Sequence, residues 1–151
     1  MPEFVVTTHL DAGVEESFDL SLSIDAHTSS MAHSGERAVA GVTSGFIGPG
    51  EEVTWRARHF GIPFTMTSRI TAYERPHRFV DEQVRGPFGA WWHAHRFEED
   101  HDGGCTMTDT IRFRSPLGVL GRLVDRWVLS AYMARLIDER NRWLAAELTR
   151  G

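Results

Sequence analysis

FVDEQVRGPFGAWWHAHRF, running from Phe79 to Phe97, is the stretch on which the fold of this chain turns. Side chains alternate faces along a strand, so Phe79, Asp81 and Gln83 share one side, and Trp91, His93, His95 and Phe97 share another. Gly86-Pro87 breaks the two runs with turn chemistry, and so short a break favours an antiparallel pair over a crossover. Ionisable groups thus stand among large apolar ones on one face of two successive strands.

The same alternation continues on both sides of the stretch. Arg37 to Ser44, Glu52 to Phe60, Pro63 to Glu74 and Thr106 to Arg114 read as extended, as do Arg78 to Arg85 and Ala90 to His101. Gly48-Pro49-Gly50, Gly61-Ile62-Pro63, Arg75-Pro76-His77 and Asp102-Gly103-Gly104 supply the turns. Glu3 to Leu10 is a further β-rich run, and Val14 to Met31 is helical in two pieces, with Val14, Phe18, Leu22 and Ile24 on the apolar face. After Ser115-Pro116 the pattern turns helical to the end. Leu120, Val124, Trp127, Ala131 and Ala134 recur at three- and four-residue steps, beside a stripe of Leu129, Met133, Leu136, Arg140 and Trp143.

Composition sets the outer limits. The chain has 151 residues, 41% hydrophobic and 25% charged, an ordinary globular balance for which one domain over residues 1–151 is expected. Its net charge of -5, with arginines spread among acids, lacks the clustered basic face of a nucleic-acid binder. One cysteine, Cys105, excludes an internal disulfide framework. The start MPEFVVTTHLD lacks the regions of a signal peptide, and no apolar run approaches the roughly 18 residues of a membrane span. The expectation is a cytoplasmic protein that contacts neither nucleic acid nor the bilayer core. Trp127 and Tyr132 are candidates for a homodimer contact.

A bent antiparallel sheet and one long helix must bury their apolar faces on each other, which gives an α+β arrangement. That order resembles the helix-grip fold of the START and polyketide-cyclase (SRPBCC) superfamily. Ser68-Arg69-Ile70-Thr71, Arg75-Pro76-x-x-Phe79-x-Asp81, Gly86-Pro87-Phe88, Trp92-x-x-His95-x-Phe97 and Pro116-Leu117-Gly118-x-Leu120-Gly121 are similar to a bacterial ligand-binding branch of it. The resemblance spans Phe4 to about Leu148. It implies six to seven strands wrapped on a long C-terminal helix, two short helices after the first strand, and a cavity between the layers. It transfers no catalytic motif, since members include cyclases, aromatases, hydrolases and carriers.

Taking the more apolar face of each strand as the inner one selects Val53, Trp55, Ala57 and His59, then Phe64, Met66, Ser68 and Ile70. It continues with Phe79, Asp81 and Gln83, with Trp91, His93, His95 and Phe97, and with Met107, Asp109, Ile111 and Phe113. The outer faces carry Arg56, Arg58, Arg69, Arg78, Glu82, Arg96, Glu98, Arg112 and Arg114. The inner set is apolar with a few convergent polar groups, the usual composition of a ligand pocket.

Three kinds of chemistry suit that inner set. In the first, His93 or His95 acts as base on a bound carbonyl compound, Asp81 or Asp109 orients it and Gln83 donates, as cyclisation or dehydration requires. In the second the polar groups only orient an apolar ligand, walled by Trp55, His59, Phe64, Met66, Gln83, Trp91, Phe97, Ile111 and Phe113. Asp81 with His95 as a satisfied structural pair is the plain counterpart of both. In the third His93-x-His95 with Glu99 ligates a metal, but a cupin motif would need Gly86 one residue later and a further histidine.

The reading adopted is a binder of a small hydrophobic molecule, with cyclase or dehydratase chemistry by His93, His95, Asp81 and Asp109, and no metal or cofactor. A non-catalytic carrier or a chaperone-associated interaction module of the same fold is the alternative. Cys105 has no activating partner at its turn, His27 and His33 are expected at the surface, and Thr28-Ser29-Ser30 reads as capping.

Overall fold

The computed structural model describes residues 2–59, 61–115 and 128–150. In chain order the elements are β1 (Glu3–Leu10), α1 (Val14–Ser21), α2 (Ile24–Ser30), a 3-10 turn (Ala32–Ser34), β2 (Arg37–Gly41), β3 (Glu52–His59), β4 (Ile62–Glu74), β5 (Arg78–Arg85), β6 (Ala90–Glu99), β7 (Cys105–Arg114) and α3 (Ser130–Arg150). The strands make one seven-stranded sheet in the order β1-β7-β6-β5-β4-β3-β2. Every neighbouring pair is antiparallel. This is the helix-grip order expected from the sequence.

Local chemistry explains the boundaries. Ser23 caps α2 by accepting a hydrogen bond from the Ala26 amide at 3.1 Å. The hydroxyls of Thr28 and Ser30 instead donate back to the helix carbonyls of Ile24 and His27, so they are not caps. β2 stops at Gly41, short of the expected Ser44, because Gly41 has φ of 72° and the Glu52 carbonyl occupies the place a Cβ would take. β7 begins one residue early, and Cys105 is a fully buried strand residue instead of a turn residue. Register shifts at Thr67/Ser68 and at Ile70/Ala72, where β4 meets β5, bend the sheet.

The inner face packs α3 along β1 and against α1 and α2. Leu136, Arg140, Asn141 and Leu144 of α3 are buried, whereas Ala131 is exposed. Leu120, Val124 and Trp127 lie outside the described residues. None of the described helices is long and apolar enough to cross a membrane.

Two apolar clusters form the core. One joins Leu10, Val14, Phe18, Leu22, Ile24, Trp55, Ile70, Phe79, Phe97, Met107 and Leu144. The other centres on Trp91, Ile111 and Phe113, with Phe4, Met66, Phe88, Leu129, Met133 and Ile137 only partly buried around it. Along β6 the order is Trp91, His93, His95, Phe97, and along β7 it is Met107, Asp109, Ile111, Phe113. The clusters are therefore separated by a polar layer.

Candidate functional site

That polar layer is a closed ring of two carboxylates and two imidazoles. His93 Nε2 lies 2.8 Å from Asp109 Oδ1, and His95 Nε2 lies 2.7 Å from Asp81 Oδ2. The ring closes through His93 Nδ1 at 3.8 Å from Asp81 Oδ2 and His95 Nδ1 at 3.2 Å from Asp109 Oδ1. The last approach is out of line for a hydrogen bond, leaving it an ion-pair contact. α3 supplies the rest. Asn141 Nδ2 donates to Asp109 Oδ2 at 2.7 Å and to Thr8 Oγ1 at 3.0 Å, and Arg140 Nη1 stands 3.5 Å from Asp109 Oδ1.

Burial disfavours charge on all these groups, and only their mutual contacts offset it. For Asp109, burial is outweighed by the contacts from His93 and His95 and by the Arg140 charge, so its carboxyl is held well below the usual carboxylate range. Asp81 follows the same logic, burial being outweighed by the His95 hydrogen bond and the fields of His93, His95 and Arg140. For His93, burial and then repulsion from His95 push the titration down, against the pull of Asp109 and Asp81. Two carboxylates thus stand against one guanidinium in this layer.

The four expected catalytic positions thus come together. Trp91, Ile111, Phe113 and Met66 border them through the second cluster, while Phe97 and Trp55 belong to the first. Gln83 folds over the β5–β6 turn, its amide donating to the Phe88 carbonyl at 2.8 Å and accepting from the Phe88 amide at 3.2 Å. A side chain at Gly86 would collide with that amide. His59 and Phe64 stand at the β3–β4 end, ring centroids 5.9 Å apart. Arg140, Asn141 and Thr8 were not foreseen as site residues. The available signal was an arginine on the inner helical stripe opposite two inward aspartates that need a counter-charge.

Asp81, His93 and His95 each have a ligand-type atom within 4.8 Å of the others. The two imidazoles are stacked, however, with centroids 3.7 Å apart and planes 21° from parallel. Lone pairs lie in the ring plane, so two stacked rings do not converge on one ion. The donor set as folded suits proton transfer better than coordination.

A second polar group sits between α2, β3 and α3. The expected surface residue His27 is instead half-buried, its ring 4.2 Å from that of Trp55 and its Nε2 2.5 Å from Glu36 Oε1. Burial raises the Glu36 carboxyl, but the His27 charge and hydrogen bond outweigh this and leave it lowered. His59 Nδ1 meets the Tyr132 hydroxyl at 2.8 Å. The partly exposed Tyr132 thus joins α3 to β3.

Comparison with known proteins agrees with this architecture. Residues 1–149 match the family described as polyketide cyclase / dehydrase and lipid transport. TTHA0849 of Thermus thermophilus superposes with a TM-score of 0.80 at 14% identity, covering 99% of this chain and 98% of that one. A START superfamily protein of Mycobacterium smegmatis gives 0.75 at 11% identity, with 97% and 98% covered. Ginseng major latex-like protein 151 of Panax ginseng gives 0.72 at 14%, with 97% and 96% covered. No curated protein sequence matches the chain.

Proposed function

As the chain belongs to the polyketide cyclase / dehydrase and lipid transport family, we propose that it binds a small, mainly hydrophobic organic molecule between the sheet and α3 and moves protons on it. One observation carries the reading. Asp81, the only open member of the ring, leaves 21% of its side chain exposed, whereas His93, His95, Asp109 and Arg140 expose 5% or less. Around the adjoining cluster, Met66, Phe88, Met133 and Ile137 face inward yet stay partly uncovered. An apolar molecule lying there would cover them and set a polar edge against Asp81.

Asp81 is then the group that touches the ligand, and the histidines act behind it. His93 donates Nε2–H to Asp109, which leaves its Nδ1 lone pair facing Asp81. A proton taken by Asp81 from carbon next to a carbonyl can pass to that nitrogen. Burial and the stacked His95 ring disfavour charge on His93, so it returns the proton through Asp81 to the substrate oxygen. Loss of that oxygen as water completes a dehydration, and attack by the enolate carbon on a second carbonyl completes a cyclisation. The chain contains no lysine, so no lysine Schiff base contributes.

Mass spectrometry of the purified protein after denaturation identifies the copurifying molecule, which then serves as substrate for wild type, His93→Ala and His95→Ala. Turnover lost with affinity kept supports proton transfer. Affinity lost, with no reaction in the wild type, supports a carrier.

A further inference from the structure

The open charged group of the inner face at the ring is acidic, the Asp81 carboxylate. Arg140 is turned to Asp109, and the Asn141 amide is divided between Asp109 and Thr8. A second buried acid, Glu36, is paired with His27 of α2. The arginines of the sheet, among them Arg56, Arg58, Arg96 and Arg112, are exposed on its outer face. Among the described residues no unengaged cation faces the inner layer.

A ligand's polar end brought to Asp81 therefore meets a negative charge in surroundings of low dielectric. A second carboxylate there would repel strongly, while a hydroxyl would donate a charge-assisted hydrogen bond. Phe79 stacked on His95 at 4.0 Å, with the His93 ring beyond it, leaves no slack for the ring to swing away.

We propose that the ligand presents a hydroxyl, as in a phenol, enol or alcohol, to Asp81, and that the site rejects carboxylic acids of the same shape. The proposal rests on the binding site argued above and adds its selectivity. It separates hydroxylated aromatic or polyketide-like molecules from free fatty acids and aryl carboxylates.

The test is displacement of the neutral fluorescent probe N-phenyl-1-naphthylamine at pH 7.5 by 2-naphthol and by 2-naphthoate. The naphthol should displace it at a concentration at least about 10-fold lower than the naphthoate. Asp81→Asn, which keeps the shape and removes the charge, should narrow that gap to about 2-fold or less, its fold checked by circular dichroism. Equal displacement by both compounds in the wild type overturns the selectivity while the binding site stands. A gap unchanged in Asp81→Asn also overturns it. If the probe itself does not bind, the binding site fails and the selectivity with it.

Discussion

His93 and His95 lie face to face, ring centroids 3.7 Å apart, because their hydrogen bonds cross the register of the sheet. Asp81 is directly opposite His93, and His95 is directly opposite Asp109. Yet the short bonds run on the diagonals, from His95 to Asp81 and from His93 to Asp109. Diagonal neighbours are within reach of long side chains, and crossing draws the two rings into a stack. The stacked His95 ring in turn adds to burial in lowering the titration of His93.

Removing one partner from this layer leaves a buried charge uncompensated. Asp109→Ala is expected to lower the unfolding free energy by about 3–5 kcal/mol. Arg140→Leu should also destabilise, and the double variant should cost clearly less than the two single changes together. Urea denaturation of the four proteins measures this. Simple additivity would mean that Arg140 and Asp109 do not act as a pair.

Acid should unfold the protein in two stages. The charge of His93 is disfavoured by burial and by His95, so the unfolded chain takes up a proton that the folded one refuses as pH falls through the ordinary value of 6.5. His59, lowered by burial, acts in the same direction. Stability conferred by Asp81 and Asp109 is present above their ordinary 3.8 and disappears as pH falls through their lower folded values. His93→Gln should flatten the stability profile just below pH 6.5 by up to about 1.4 kcal/mol per pH unit. An unchanged slope would show that His93 titrates normally.

Phe18 is the hinge of the first apolar cluster. Its ring meets those of Tyr73, Phe79 and Phe97 edge-on, at 5.4, 5.5 and 5.5 Å, and it is fully buried. Phe18→Ala should cost about 3–5 kcal/mol in chemical denaturation. A loss near that of a surface substitution would place α1 outside the cooperative core.

Tyr132 ties the start of α3 to β3 through His59. Tyr132→Phe deletes that hydroxyl alone, and a loss of about 1 kcal/mol is expected. Amide exchange should quicken at the beginning of α3 and leave its end, at Leu144, unaffected. Uniform quickening would contradict a local tie.

Much of the fold was legible because strand periodicity is strict. Alternation alone placed Trp91, His93, His95 and Phe97 on one face, and their neighbours Trp92 and Arg96 on the other, where Arg112 lies over the Trp92 ring at 4.8 Å. Helical stripes are broader, so exposed Ala131 falls in an apolar stripe while the buried Asn141 falls in neither. Arg140 was visible as part of a stripe, but its contact with Asp109 joins residues 31 positions apart and depends on how α3 lies on β1. The burial of His27 depends likewise on a tertiary neighbour, Trp55, which local pattern does not reveal.

The account rests on a ligand lying against the Asp81 ring, and imidazole nitrogen NMR of histidine-labelled protein tests it most directly. During titration with 2-naphthol, the ring nitrogens of His93 and His95 should shift together and saturably, while the exposed His9, His77 and His101 stay in place. Shifts confined to the exposed histidines, or none at saturating 2-naphthol, would contradict it.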